Sequence, residues 1–249
     1  MGKGETRIGI GGWSFEPWRG VFYPAGLRQK DELSYAASQM TAIEINSTYN
    51  STQSAKSFAN WMAAAPDGFE YSVKASRFCT NRKVLAEAGP SVEKFMGQGL
   101  VELGGKLGPI VWQFAATKKF DADDFGAFLD LLPETLGGHT LRHALDVRNA
   151  SFDDPAFIDL ARSKGMAIVY SDHSEYPLIE ADTADFVYAR VMKAREDLEA
   201  GYSNADLDCW ADKERSWAAD GRDVYLFFIS GAKVRNPAAA RAVIDRLAG

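Results

Sequence analysis

Residues Arg7–Trp18 read RIGIGGWSFEPW. Isoleucine and glycine alternate after the arginine, which is the period of a strand, and a second glycine follows to turn the chain. An open doubly wound sheet also begins with a strand and a glycine-rich turn, but its phosphate loop needs the order GxGxxG leading into a helix. Here the glycines run directly into Trp13, Phe15, Pro17 and Trp18. The stretch therefore reads as the first strand of a different parallel fold.

Seven further apolar runs follow: Ala42–Asn46, Phe69–Ala75, Gly108–Phe114, His143–Arg148, Met166–Asp172, Asp185–Val191 and Asp223–Ile229. Helical patterns separate them near Lys30–Gln39, Gln53–Ala65, Ser91–Leu103, Ala122–Leu132, Pro155–Lys164 and Ala205–Ala219, and a last one covers Pro237–Leu247. After the sixth run the chain is too short and polar for a helix. Strands alternating with helices are parallel strands joined by crossovers. Eight such units in 249 residues predict an α/β fold, a single-domain (β/α)8 TIM-type barrel over residues 1–249.

With 46% hydrophobic and 25% charged residues, the composition is that of a soluble globular protein able to bury a core. The formal charge of -6 makes the average surface mildly acidic and argues against a general nucleic-acid coat. Cys79 and Cys209 match no metal or redox spacing, as expected in a reducing compartment. No signal-peptide pattern and no apolar run of membrane-spanning length occur, so the expectation is a cytoplasmic protein with no membrane partner. The sequons at Asn46, Asn50 and Asn149 are then coincidental. Oligomeric state is left open.

In a barrel, the C-terminal strand ends build the functional face. Those ends carry Trp13 and Ser14, then Glu44 and Asn46, then Lys74, Ser76 and Arg77, then Gln113. Asp146 and Arg148, Asp172 and His173, Arg190, and finally Ser230 and Lys233 complete the circuit. Any one of these alone is more often a solvated end, a helix cap or a rim salt bridge. Their convergence on one mouth is what points to chemistry. Basic residues also collect in the same loops: Arg77, Arg82, Lys83, Lys118, Lys119, Lys193, Arg195, Lys233 and Arg235. A basic mouth on an acidic protein implies an anionic ligand.

Other chemistries are less well supplied. Glu44, Asp146, Asp172 and His173 offer donors for a divalent metal, but with three histidines and no HxH or HExxH spacing a metal is the minority reading. No GxSxG elbow exists. Cys79 lies among Arg77 and Arg82, where a thiolate would be favoured, although a buried loop cysteine is the commoner case. Trp13, Trp18 and Tyr23 offer rings for stacking on a ligand, or equally for packing over the mouth.

The segments GGWSFEPWRGVFYP, EINSTYNSTQSAKSFANWMAAAPDGFEYSVKASRFCTNRKVL, LGPIVWQF, DVRNASF, TADFVYAR and GYSNADLDCWADKERSWA occur in this order. In them the chain resembles the YecE-like family, domain of unknown function number 72, over about residues 7–247. The resemblance implies a TIM-type barrel and assigns no biochemical activity. The chain departs from the usual family pattern at Tyr49-Asn50, Thr80-Asn81, Asp146, Met192-Lys193 and Ile229-Ser230, which removes two histidines from the mouth. Glu44, Asn46, Lys74, Gln113, Arg148, Asp172 and Arg190 fit it.

The leading expectation is an enzyme acting on a small anionic substrate. Glu44, Asp146, Asp172 and Lys74 are the candidate catalytic groups, with a partly desolvated Glu44 or Asp146 titrating nearer neutrality as acid or base. Asn46, Arg77, Gln113, Arg148, Arg190, Lys233, Trp13 and Tyr23 are the candidate binding groups, with Arg148 and Arg190 clamping the anion. No cofactor is assigned. The competing readings are a nucleic-acid-processing barrel, whose aromatic rings would stack on bases, and a non-catalytic binding protein.

Overall fold

The Ile-Gly alternation becomes strand β1 (Thr6–Gly11) of a computed structural model that describes residues 2–249. The further strands are β2 (Ala42–Ile45), β3 (Glu70–Lys74), β4 (Leu107–Gln113), β5 (His143–Asp146), β7 (Phe186–Val191) and β8 (Asp223–Phe228). Between β5 and β7 lies β6, in two pieces, Ala167–Ile168 and Tyr170–Asp172. All are parallel. The first piece of β6 pairs with β5 and the second with β7, so the two edges of the sheet are consecutive stretches of one chain and the barrel closes. Val169 marks the break, its amide donating to Leu145 O at 3.0 Å.

The helices are α1 (Glu32–Gln39), α2 (Ala55–Ala64), α3 (Gly89–Met96), α4 (Ala122–Leu129), α5 (Pro155–Ser163), α6 (Asn204–Ala219) and α7 (Asn236–Ala248). Four start on side-chain caps that satisfy amides the helix leaves open. Ser54 caps α2, Asp121 caps α4, Asp154 caps α5, and Ser203 forms a capping box with Asp206 on α6. The sixth crossover has no helix. There the outer face of β6 is covered by α6, whose Trp210 and Trp217 pack edge-on against Tyr170 while Lys213 donates to its hydroxyl.

Two departures from the sequence reading have local causes. The helix expected to reach Leu103 stops at Met96, because Gly97 ends it and Gly99 takes a φ of 115°, a left-handed conformation suited to glycine. A hairpin pairing Thr135–Leu136 with His139–Thr140 precedes β5, turned by Gly137 and Gly138 at positive φ.

Strand parity divides the apolar core in two. Ile8, Ile10, Ile43, Ile45, Tyr71, Val73, Trp112 and Leu145 face the helices. Ala42, Val111, Ala144, Val169, Tyr188, Tyr225 and Phe227 form a separate cluster inside the barrel. Gly9 belongs to the inner face, where a Cβ would stand 1.8 Å from Ala42 O. The glycine lets β1 and β2 approach; the alternation in RIGIGG is a packing requirement.

Candidate functional site

Glu44 follows Ala42 by two residues and so points into the barrel, as expected of a period-2 strand. Lys74 on β3, Gln113 on β4, Asp146 on β5 and Arg190 on β7 project inward from the same ends, and Arg148 follows Asp146 just beyond β5. They meet in one layer. Arg190 Nε and Nη2 donate to Glu44 Oε2 and Oε1 at 3.1 and 2.7 Å, and its Nη1 bonds Asp146 Oδ2 and Gln113 Oε1. Tyr188, two residues before Arg190, donates to Glu44 Oε2 at 2.8 Å and pairs with Ser72 Oγ at 2.6 Å. Arg148 Nη2 reaches Gln113 Oε1 at 2.6 Å and Asp146 Oδ2 at 3.1 Å.

Above this layer opens a cleft of about 610 Å³. Glu44, Lys74, Gln113, Arg148 and Arg190 form its floor, while Trp13, Trp61, Asn46, Ser47, Gln53, Ser14, Ile229, Ser230, Lys233 and Asn236 form its walls. Gly11 lets two wall residues approach closely, since a Cβ there would stand 2.8 Å from Ile229 Cγ2 and 3.0 Å from Asn46 Nδ2. Trp13 and Trp61 meet edge-on at 5.2 Å. Ser230 holds the left-handed conformation at φ 61°, its carbonyl bonded by Asn236 Nδ2. A non-glycine residue held there is strained, a feature that clusters at functional sites.

The electrostatics reverse one expectation. Burial alone would push the Glu44 carboxyl up, but Arg190 and Lys74 outweigh it and hold the group below the usual carboxylate range. Glu44 is therefore a fixed negative charge near neutrality, not a titrating acid or base. Lys74 is the group displaced toward neutrality: burial first, then the Arg190 charge, push its amine down to about 8. Its ammonium lies 4.3 Å from the Tyr49 ring centroid and, among the described residues, has no ion-pair partner. Lys233, half-buried against Phe15 and Trp18, is likewise lowered by burial and likewise without an ion pair.

Several expected site residues lie elsewhere. Tyr23 is buried beneath the β1 loop and donates to Trp13 O, so it packs the mouth and does not line it. Trp18 is buried too, its indole donating to Lys233 O at 2.9 Å. Asp172 pairs with Lys193 beside a separate cleft of about 350 Å³ that includes Tyr202 and Trp210. Arg77 sits outside the cleft over the exposed Phe78 ring. Asp146 is fully buried beneath Arg148 and Arg190 and does not line the cleft. Arg190 spends its guanidinium on Glu44, Asp146 and Gln113, which makes it an internal strut where a ligand clamp was expected. Burial raises the Cys79 thiol to about 12, so no thiolate forms near neutrality. His173 stacks on Tyr176, which itself lies under Arg148. Among the described residues, no three His, Cys, Asp or Glu side chains converge as a metal set.

Sequence reasoning missed Tyr188, Trp61 and Asn236. Tyr188 shares parity with Arg190 and was legible on that ground. Asn236 precedes Pro237 at the start of α7 and looks like a helix start; its Oδ1, buried without a partner in the cleft wall, needed the structure.

No protein of curated function matches the chain in sequence. Two similar folds are crystal structures of DUF72 family proteins. That of TM1631 from Thermotoga maritima has a TM-score of 0.80 at 22% identity, covering 98% of this chain and 100% of the other. That of EF0366 from Enterococcus faecalis has a TM-score of 0.77 at 14% identity, covering 100% of both. At these identities the likeness is one of fold. The family model described as "Protein of unknown function DUF72" matches residues 7–249, and with the barrel in place the chain belongs to that family.

Proposed function

We propose that the protein is an enzyme acting on a small carboxylate- or phosphate-bearing substrate bound in the cleft at the C-terminal mouth of the barrel. The observation that carries this is the charge left over there. Of four cations at the cleft, Arg148 and Arg190 are matched by Glu44 and Asp146, while Lys74 and Lys233 are matched by nothing among the described residues. A partly buried, unpaired ammonium is costly, and an anion entering the cleft compensates two at once.

The walls suit such a substrate. Asn46, Gln53, Ser14, Ser47 and Ser230 offer amide and hydroxyl groups to a hydroxylated molecule, and Trp13 and Trp61 offer an apolar side. The volume lies within the range of small-molecule sites. A phosphate backbone would instead need the outer rim, where Lys118, Lys193 and Arg195 are already paired with Asp124, Asp172 and Asp197. This favours a small ligand over a nucleic acid.

Thermal unfolding with inorganic phosphate and with citrate, against chloride at matched ionic strength, tests the reading. Specific anions should raise the midpoint with a saturable concentration dependence. Lys233→Met should weaken that response about tenfold or more, as loss of a charge-assisted contact does. A midpoint that responds to neither anion beyond chloride overturns the proposal.

A further inference from the structure

Two amines at the cleft, those of Lys74 and Lys233, have no ion-pair partner among the described residues, and Lys74 is the more deeply buried. Glu44 is tied to Arg190 and Tyr188, and Asp146 to both arginines. The Tyr188 hydroxyl is wedged between Ser72 and Glu44. Serines 14, 47 and 230 line the walls, but no histidine does, so they lack a base to activate them. Lys74 remains. Its stem is inside the barrel, its residue is 9% exposed, and its nitrogen opens into the cleft beside the Tyr49 ring, with no carboxylate in ion-pair contact among the described residues.

We propose, building on the anionic-substrate reading above, that Lys74 is a covalent nucleophile that forms a Schiff base with an anionic aldehyde or ketone in the cleft. The neutral amine donates its lone pair to the carbonyl carbon, forming a C–N bond as the C=O π electrons move to oxygen. After proton exchange with solvent, that oxygen leaves as water and a C=N bond forms. The imine nitrogen takes one proton from solvent and becomes an iminium. No oxidant or reductant is consumed.

Three features support this step. A desolvated lysine beside another cation is a standard way to obtain a free amine near neutrality. With the amine pushed down to about 8, roughly two hundred times more of it is unprotonated at pH 7 than for an ordinary lysine. Glu44, held ionised by Arg190, lies close enough to act on the Lys74 charge and favours the iminium that replaces it. The second unpaired cation, Lys233, is left to hold the substrate's carboxylate or phosphate.

The test is borohydride trapping on the 249-residue chain with two probes, glyoxylate and pyridoxal phosphate, followed by peptide mass mapping. The reduced adduct should sit on the Lys74 peptide at about ten times or more the level of any other lysine, as the free-amine fraction requires. Inorganic phosphate should compete. Lys74→Arg keeps the charge but cannot form an imine, and should lose that adduct while still responding to phosphate in thermal unfolding. Label spread evenly over surface lysines, or absent with both probes while phosphate still stabilises the protein, overturns the Schiff base alone. Absence of both adduct and phosphate response overturns the anion site as well.

Discussion

Arg190 grips Glu44 side-on across the barrel, its Nε and Nη2 meeting the two carboxylate oxygens at 3.1 and 2.7 Å. Both side chains are essentially excluded from water. Two charges removed from solvent are tolerable only while each is compensated, and Arg190 also compensates Asp146.

Removing that strut should therefore be severe. Arg190→Met leaves Glu44 buried without its main counter-charge and should cost about 3–5 kcal/mol in urea unfolding at neutral pH. Glu44→Gln should cost less and should flatten the acid side of the stability profile. The sign follows from the depressed carboxyl: its stabilisation is present above the unfolded value and is lost as pH falls through the folded one. An Arg190→Met protein as stable as the parent would refute this account of the network.

Lys74 gives the opposite pH signature. Its amine is lowered on folding to about 8, so the unfolded chain binds more protons above that value and stability rises from there toward the unfolded lysine pKa of about 10.4. Lys74→Met should be more stable than the parent at pH 7, by about 1–3 kcal/mol, and the difference should shrink between pH 8 and 10. Denaturation midpoints at several pH values read this directly. A constant difference across the range would mean that the ammonium is not desolvated.

Glu214, on the buried face of α6, is a second internal titrating group, away from the cleft. Burial raises its carboxyl to about 7 against weaker pulls from Thr6 and Lys3, and the Thr6 hydroxyl does not reach hydrogen-bond geometry. An acid raised on folding favours the fold below its unfolded pKa, and that contribution is lost as pH rises through about 7. Glu214→Gln should stabilise the protein above pH 7 by about 1–3 kcal/mol and do little near pH 4. Equal effects at both pH values would count against it.

Gly9→Ala should destabilise strongly, by more than about 3 kcal/mol, because the added methyl meets the Ala42 backbone and not a movable side chain. Gly105→Ala, where a Cβ meets nothing within 4 Å, should be nearly neutral. The pair separates close strand approach from a general intolerance of glycine replacement. Comparable midpoints for the two variants would defeat the explanation.

The barrel was legible because apolar strand runs and the helical patterns between them are local signals, and both repeat along the chain. Glu44 and Asn46, two residues apart at the end of β2, both line the cleft, while Asp146 lies buried beneath Arg148. What parity cannot show is which partner a charge finds: Glu44 meets Arg190 across 146 positions. That distant pairing turned an expected acid–base group into a fixed charge and an expected anion clamp into a strut. Asp172 ends the upper piece of β6 on the parity of Tyr170, which faces α6, while Arg77 and Tyr23 follow chain paths that leave the cleft. Lys74 was visible as a residue, while its lack of a partner became visible only once the other charges had been matched.

The split at Val169 has a mechanical consequence for the mouth. The lower piece of β6 is laced to β5 and the upper piece to β7, so none of its paired residues joins both neighbours. Next to the cleft floor, the upper ends of β5 and β6 are held by side chains such as Arg148 and Tyr176 in place of ladder hydrogen bonds. Above Val169 that seam is thus closed by side-chain contact, and no ladder pairing between β5 and β6 crosses it.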